Sequence, residues 1–224
     1  MKQIVIYGIG KMAEFISYSF QNDSDYEVVA FCVDDAYLET SQKTFLGCPV
    51  LGFADILEQF PPDSFLMHLA VGRNNARQII FEKVLEAGYS FANYICSKAN
   101  VWPDLVIGRN VFIDQACVFH PYVTIGDNSM FIAARIGHHC SVGSHSLLSG
   151  VSLAGNVSIG DNCFMGINSG AKENVRIGDH NTIGAGCFIT KNTENGTLIY
   201  QAKTVQKTVL SKNIVLFNNA KKPE

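Results

Sequence analysis

The stretch LAGNVSIGDNCFMGINSGAKENVRIGDHNTIGAGCFIT, residues 153–190, decides the fold of this chain. Leu153, Ile159, Met165, Ala171, Ile177, Ile183 and Ile189 recur every six residues. A helix period of about 3.6 or a strand period of 2 cannot give that spacing, whereas a chain of short strands and turns can. Working outward, three apolar series align. The first is Ile107, Ile125, Val142, Ile159 and Ile177; the second is Ile113, Phe131, Leu148, Met165 and Ile183; the third is Phe119, Ile136, Leu153, Ala171 and Ile189. Each step between series is six residues, except that Phe131 to Ile136 and Leu148 to Leu153 are five. Three hexads make one triangular coil. Each apolar residue points inward and stacks on its counterpart one coil away, as in a solenoid.

The fourth residue after each apolar position also faces inward and has to be small. Cys117, Cys140, Cys163 and Cys187 stand there, with Ser129, Ser146, Ser152 and Ser169. Cysteine packs well as a small buried hydrophobe. The chain has seven cysteines, an odd number, and no CxxC pair, which argues against a disulfide framework or a zinc ribbon.

Residues 1–98 follow a different grammar. Lys2–Tyr7 reads as a strand, Met12–Phe20 as a helix, Tyr26–Val33 and Ser64–Val71 as strands, and Ala76–Ala87 as a helix. Strand–helix alternation implies a parallel sheet with helices on its faces, which binds ligands at the carboxyl ends of its strands. The expected class is therefore α/β plus all-β, with a small Rossmann-like domain over 1–98, a parallel β-helix over 99–203 and a tail over 204–224. "TVQKTVLSKNIVLF" in the tail reads as an extra strand pair on the coil, with the last residues disordered.

The 224 residues carry a formal charge of −3, 47% hydrophobic content and no basic block. Nucleic acid is thus not the expected partner. Gly8 and Gly10 interrupt the apolar N-terminus, and no run is long enough for a membrane span, so a soluble cytoplasmic protein is expected. The turn Gly8-Ile9-Gly10, followed by Asp34 and Asp35 after the second strand, is compatible with an NAD fingerprint or with a structural turn that holds no ligand.

The coil resembles the left-handed parallel β-helix of the hexapeptide acyltransferases, which implies a left hand, against the general preference for right-handed crossovers, and a homotrimer with active sites between prisms. Both halves together resemble the sugar O- and N-acetyltransferases of bacterial surface-glycan synthesis, O-antigen included. Three stretches carry the likeness: "YGIGKMAEFI" with "FCVDD", "AVGRNNARQII", and "GHHCSVG…LAGNVSIGDNCFMGINSG". The resemblance implies acetyl-CoA as co-substrate, no metal, and a nucleotide-linked amino sugar (UDP-, dTDP- or GDP-) as acceptor. Acceptor contacts would come from Gly8, Gly10, Lys11, Asp34, Asp35, Gly72 and Arg73.

"IGHHCSVGSHS", residues 136–146, holds three of the six histidines. From the residues alone these are solvated coil corners, a catalytic base, or ligands of a metal shared across subunits with His120. The resemblance puts the base on His138. Its acid position is filled by His139, a departure, because a carboxylate orients and stabilises an imidazolium better than a second imidazole does. The usual upstream Asn is missing from "FIAAR" (131–135). Leu147 stands where a sugar-side His is expected, with His145 two residues away as a substitute. On the donor side, Gly155 matches the glycine whose N–H faces the thioester oxygen. Gly166, Ile167 and Asn168, with Gly184, Ala185 and Gly186, match the stretches along the pantetheine arm. The closing motif survives only as "YQAK" (200–203). The expected activity is N-acetylation of the amino sugar. An O-acetyltransferase and a non-catalytic trimeric nucleotide-sugar scaffold are the alternatives.

Overall fold

The computed structural model describes residues 2–38 and 43–202, so Lys203 and the expected tail strands over 204–224 lie outside the described residues. The N-terminal unit begins with β1 (Lys2–Tyr7), α1 (Lys11–Asn22), β2 (Tyr26–Val33) and α2 (Asp35–Leu38). A hairpin follows, β3 (Thr44–Phe45) and β4 (Cys48–Gly52), then α3 (Phe53–Gln59), β5 (Leu66–Leu69), α4 (Asn74–Glu86) and β6 (Ser90–Phe91). The sheet order is β3-β4-β2-β1-β5-β6, parallel throughout except for the β3–β4 hairpin. Strand order reverses at β1, so the crevice expected of such a sheet opens beyond Tyr7 and Leu69. The strand β4 and helix α3 had no counterpart in the sequence reading. Pro49 and the short run before it masked the strand, and the proline is accommodated because pairing with β2 begins only at Val50, leaving Pro49 opposite Thr44 of the two-residue β3.

From Tyr94 onward the chain winds into a left-handed parallel β-helix. One face is built from Tyr94–Ile95, Phe112–Ile113, Met130–Ile132, Leu147–Ser149, Phe164–Met165, Thr182–Ile183 and Leu198–Ile199. The second runs from Asn100–Val101 to Phe188–Ile189 and the third from Val106–Ile107 to Arg176–Ile177. Strand pairing reproduces the three apolar series residue for residue, for example Phe131 with Leu148 and Ile136 with Leu153. Every member lies in or against a single core along the prism axis. The expected boundary at 98–99 falls between the first strand of the first face and the first strand of the second.

The turns follow one rule. In six-residue steps the third residue after the apolar one is nearly always left-handed: Asn110, Asn128, His139, His145, Asn156, Asn162, Asn168, Asn174 and His180 have φ between 53° and 62°. Asn and His tolerate this region better than most residues. In the two five-residue steps the left-handed place moves to Ala133 and Gly150, and the inward place to Ala134 and Val151, which are 0% and 1% exposed. Ser152, expected to face inward, is therefore corrected. It lies one place beyond Val151, and its hydroxyl accepts from Arg135 on the outer surface at 3.0 Å. Cys117, Cys140, Cys163 and Cys187 are buried and free, as the packing role requires.

The N-terminal unit sits on the first face. Tyr94, Phe112, Met130 and Leu147 project outward from the coil, yet they are buried in a cluster with Ile4, Ile6, Phe20 and Phe31. Tyr94 stacks on Phe112 at 5.0 Å, and Phe20 closes on Tyr94 at 5.2 Å. Among the described residues no helix is long and apolar enough to cross a membrane.

Candidate active site

His138 follows Ile136 by two places, at the edge between the second and third faces. It has no left-handed backbone to maintain, and it is exposed. Its ring lies against Gly155, one coil onward: a Cβ built on Gly155 would stand 2.5 Å from His138 Cε1 and 2.6 Å from Nε2. A side chain at 155 would displace the imidazole, so glycine there is what lets the ring lie against the backbone. The chain stays in register because the Asn156 amide donates to the His138 carbonyl at 2.8 Å. The Gly155 amide makes no hydrogen bond among the described residues, which leaves a free donor beside the ring.

His139 takes the left-handed place, φ 58°, and its amide donates to Pro121 O at 3.1 Å. Its ring stands perpendicular to that of His138, with Nδ1 to Nδ1 at 3.1 Å, and packs on Tyr122 at 4.5 Å between centroids. A contact between two ring nitrogens needs one proton on one of them. If His138 Nδ1 carries it, His138 Nε2 is left as a free base. Cys140, next in the chain, is no nucleophile: burial pushes its thiol up, and Sγ donates to Ala154 O at 3.2 Å.

His145 lies elsewhere. It belongs to the edge between the third and first faces, beneath α4, and the structure does not bring it to His138. Its Nδ1 meets Asn128 Nδ2 at 2.8 Å, its ring packs edge-on to Phe81 at 5.5 Å, and burial first, then Arg77, lower its pKa. His180 shares that edge, while His120 lies one coil before His138 on the other. Among the described residues no group of three or more His, Cys, Asp or Glu is placed to hold a metal ion.

The stretches expected to line a pantetheine arm occupy the third edge. Gly166-Ile167-Asn168 and Gly184-Ala185-Gly186 form successive corners between the first and second faces. A Cβ on Gly166 would meet Ala185 N at 2.9 Å, and Ile167 is 58% exposed. The result is a narrow strip that is mostly backbone. On one prism, Arg135, Ser152, Gly170 and Phe188 of the second face separate this strip from His138.

In the N-terminal crevice Gly8 has φ 122°, and a Cβ there would lie 3.1 Å from Ala70 O, so the turn demands glycine. Tyr7 OH donates to Asp34 at 2.6 Å, and Lys83 Nζ, 4.2 Å from the Phe53 ring centroid, pairs with Asp34 at 3.0 Å. Burial works to raise the Asp34 pKa, but the hydrogen bonds from Tyr7 and Lys83 outweigh it and the net shift is down. A cavity of about 310 Å³ opens here, lined by Gly8, Ile9, Asp34, Tyr37 and Val71. Asp35 faces the start of α3, accepting from Ala54 N at 3.3 Å. Gly10 is the N-cap of α1, and Lys11 pairs with Glu14 at 2.6 Å at the surface. Gly72 and Arg73 line a larger cavity, about 710 Å³, between the N-terminus of α4 and Asn162, Phe164, His180 and Thr182 of the coil.

Sequence reasoning passed over Arg77, Asn110 and Asn128. Their signals were present. Arg77 stands with Ile80, Phe81 and Val84 on the buried stripe of α4, a charge in an apolar row, and both asparagines occupy left-handed turn positions. They form a ladder in which Leu69 N donates to Asn110 Oδ1 (2.8 Å), Asn110 Nδ2 to Asn128 Oδ1 (2.7 Å), and Asn128 Nδ2 reaches His145.

Residues 3–84 match the PglD N-terminal domain, and residues 156–191 match the hexapeptide repeat of succinyl-transferase. PerB from Caulobacter crescentus, solved with CoA and GDP-perosamine, is similar at 26% identity over 88% of this chain and 93% of that chain, with a TM-score of 0.79. A histidine-to-alanine mutant of GDP-perosamine N-acetyl transferase from the same organism, also with CoA and GDP-perosamine, matches at 25% identity with the same coverage and TM-score. The acetyltransferase domain of PglB from Neisseria gonorrhoeae has the same fold at 23% identity, covering 88% of this chain and 96% of that chain, with a TM-score of 0.70.

Proposed function

We propose that this chain, an acyltransferase joining a PglD N-terminal domain to hexapeptide repeats, moves the acetyl group of acetyl-CoA onto the amino group of a nucleotide-linked amino-dideoxysugar. The observation that carries the reading is the His138 ring lying against Gly155. With the proton of the ring–ring contact on His138 Nδ1, it sets a base nitrogen and an unpaired amide donor side by side, the two groups that attack of an amine on a thioester requires. The solved neighbour that binds CoA and GDP-perosamine supports the choice of donor and acceptor class.

His138 Nε2 takes the proton of the attacking amine. The Gly155 N–H donates to the carbonyl oxygen as it becomes negative. When the carbon–sulfur bond breaks, His138 returns its proton to the departing sulfur. His139, held by Tyr122, accepts from His138 Nδ1–H and so keeps Nε2 free. The strip at Gly166–Asn168 and Gly184–Gly186 takes the pantetheine arm, because its glycines let a thin chain approach the backbone while the exposed Ile167 offers it an apolar contact. Gly8, Gly10, Asp34, Gly72 and Arg73 hold the nucleotide and its phosphates. Lys11 and Asp35, tied to Glu14 and α3, flank that site, and His145 serves the interface beneath α4. Base and strip lie on different edges of one prism, so the reading needs a homotrimer, in which one copy's His138 faces the strip of the next. It also implies work in the cytoplasm on precursors of surface glycan such as O-antigen.

The test is CoA release with UDP-, dTDP- and GDP-linked amino sugars and their hydroxyl counterparts. Turnover on an amino acceptor, lost by about a hundredfold or more in His138→Ala, is expected. Turnover on hydroxyl acceptors alone would replace the reading with O-acetylation, and silence on every acceptor would defeat it.

A further inference from the structure

Arg77 is 0% exposed, and no carboxylate among the described residues pairs with it. Its guanidinium is surrounded by oxygens from two sides. From the loop ahead of α4, Nη1 donates to Val71 O at 2.9 Å and Gly72 O at 3.5 Å, and Nη2 donates to Asn74 Oδ1 at 3.1 Å. From the coil, Nε donates to Asn128 O at 3.1 Å, and Nη2 to His145 O at 3.1 Å and Ser146 O at 3.2 Å. Asn74 adds a tie of its own, donating to Cys163 O at 2.9 Å. Burial lowers the Arg77 pKa to about 10.

A buried charge without a counter-charge is a poor source of stability. Apolar groups of equal volume often do as well or better, whereas a planar fork of five donors fixes geometry. The oxygens that Arg77 gathers are not arbitrary. Val71 walls the crevice beside Gly8, Gly72 walls the larger cavity, and Asn74 begins the helix between them. The other three belong to the coil that carries His138.

We infer that Arg77 is a positioning residue: it locks the Val71–Asn74 loop to the coil and thereby sets where the nucleotide-sugar acceptor lies relative to the prism. It touches no substrate itself. The inference rests on the proposed acetyl transfer for its kinetic consequence, but not for its structural one.

The experiment compares Arg77→Met, Arg77→Lys and Asn74→Ala in the full chain. In Arg77→Met, kcat/KM for the amino-sugar acceptor should fall by about a hundredfold, the size of effect that a misplaced substrate gives. The KM for acetyl-CoA should hold within about twofold. Hydrogen exchange across residues 69–80 should speed by about tenfold more than exchange in the coil core, beyond the modest fall in melting temperature that the unpaired carbonyls cause. Arg77→Lys, with a point charge unable to reach both sides, should recover little. Acceptor and donor constants moving together, or loop exchange unchanged in a folded variant, would overturn the inference. If Arg77→Met does not fold, Asn74→Ala decides, because it removes one loop-side oxygen and leaves the guanidinium. Silence of the unmodified enzyme on every acceptor would sink the acetyl-transfer proposal instead, and loop exchange would still judge Arg77.

Discussion

At the edge between the second and third faces, His138 is exposed and its ring covers Gly155. At the next corner of the same coil, His145 is half-buried, held through Nδ1 by Asn128 and packed against Phe81. The two lie seven residues apart in a sequence where either could be read as the base. The difference is one place in the hexad. His145, like His139 and His180, fills the left-handed turn that the coil needs at that position, while His138 precedes it and answers to no backbone demand. The proposed base is thus the histidine that the turn does not require. The largest expected effect tests this directly. His138→Ala should cost about a hundredfold or more in kcat. His145→Asn, which suits the same turn, should change kcat less than about threefold and lower stability by about 1 kcal/mol through the lost Asn128 contact. Equal losses in both variants would break the comparison.

Gly155 sharpens it. An alanine there puts a Cβ where the His138 ring now lies, so either the ring or the amide must move. Gly155→Ala should therefore lower kcat by about a hundredfold, the scale for one oxyanion donor, with a small change in melting temperature. His139 gives a smaller, graded effect. His139→Ala removes the acceptor for His138 Nδ1–H and should cost about tenfold in kcat. His139→Asp keeps the turn and supplies a carboxylate, so it should match or exceed the unmodified enzyme. Loss in the Asp variant as deep as in the Ala variant would show that the ring contact with Tyr122, not the hydrogen bond, is what matters.

The coil was legible almost to the residue because each step repeats one physical demand: an apolar residue inward, a small one inward, a turn between. Where the period slipped, so did the reading. Ser152 was placed by counting four from Leu148, but a five-residue step brings Val151 into the core instead. The N-terminal sheet was legible where strands are long and apolar, as in Tyr26–Val33. It was lost at Cys48–Gly52, where a proline and a hairpin interrupt the pattern. Within the candidate site, the resemblance pointed to His138 and Gly155, but their contact across coils was not legible, since it depends on register between residues seventeen apart. Arg77 was hidden for the opposite reason: a single charge in an apolar stripe states that it is buried, but not which carbonyls it gathers from a distant part of the chain.

The smallest effect concerns buried histidines, and it separates their contribution from that of the exposed edge. His68 is 0% exposed on β5, its ring 5.0 Å from that of Phe20, with Nδ1 donating to Ala92 O at 2.9 Å. Burial lowers its pKa to about 4, with Arg77 adding to the effect, and His145 is shifted in the same direction. A folded-state value below the unfolded value of about 6.5 means that the unfolded chain binds more protons as pH falls. The stability due to neutral His68 is thus full above about pH 6.5 and drains away between there and about pH 4, by at most about 1.4 kcal/mol per pH unit. Urea unfolding at pH 7 and pH 5 should show this loss in the unmodified protein and a flatter response in His68→Asn, whose amide can still donate to Ala92 O. If the two slopes coincide, the acid sensitivity belongs to groups other than the histidine enclosed between sheet and coil.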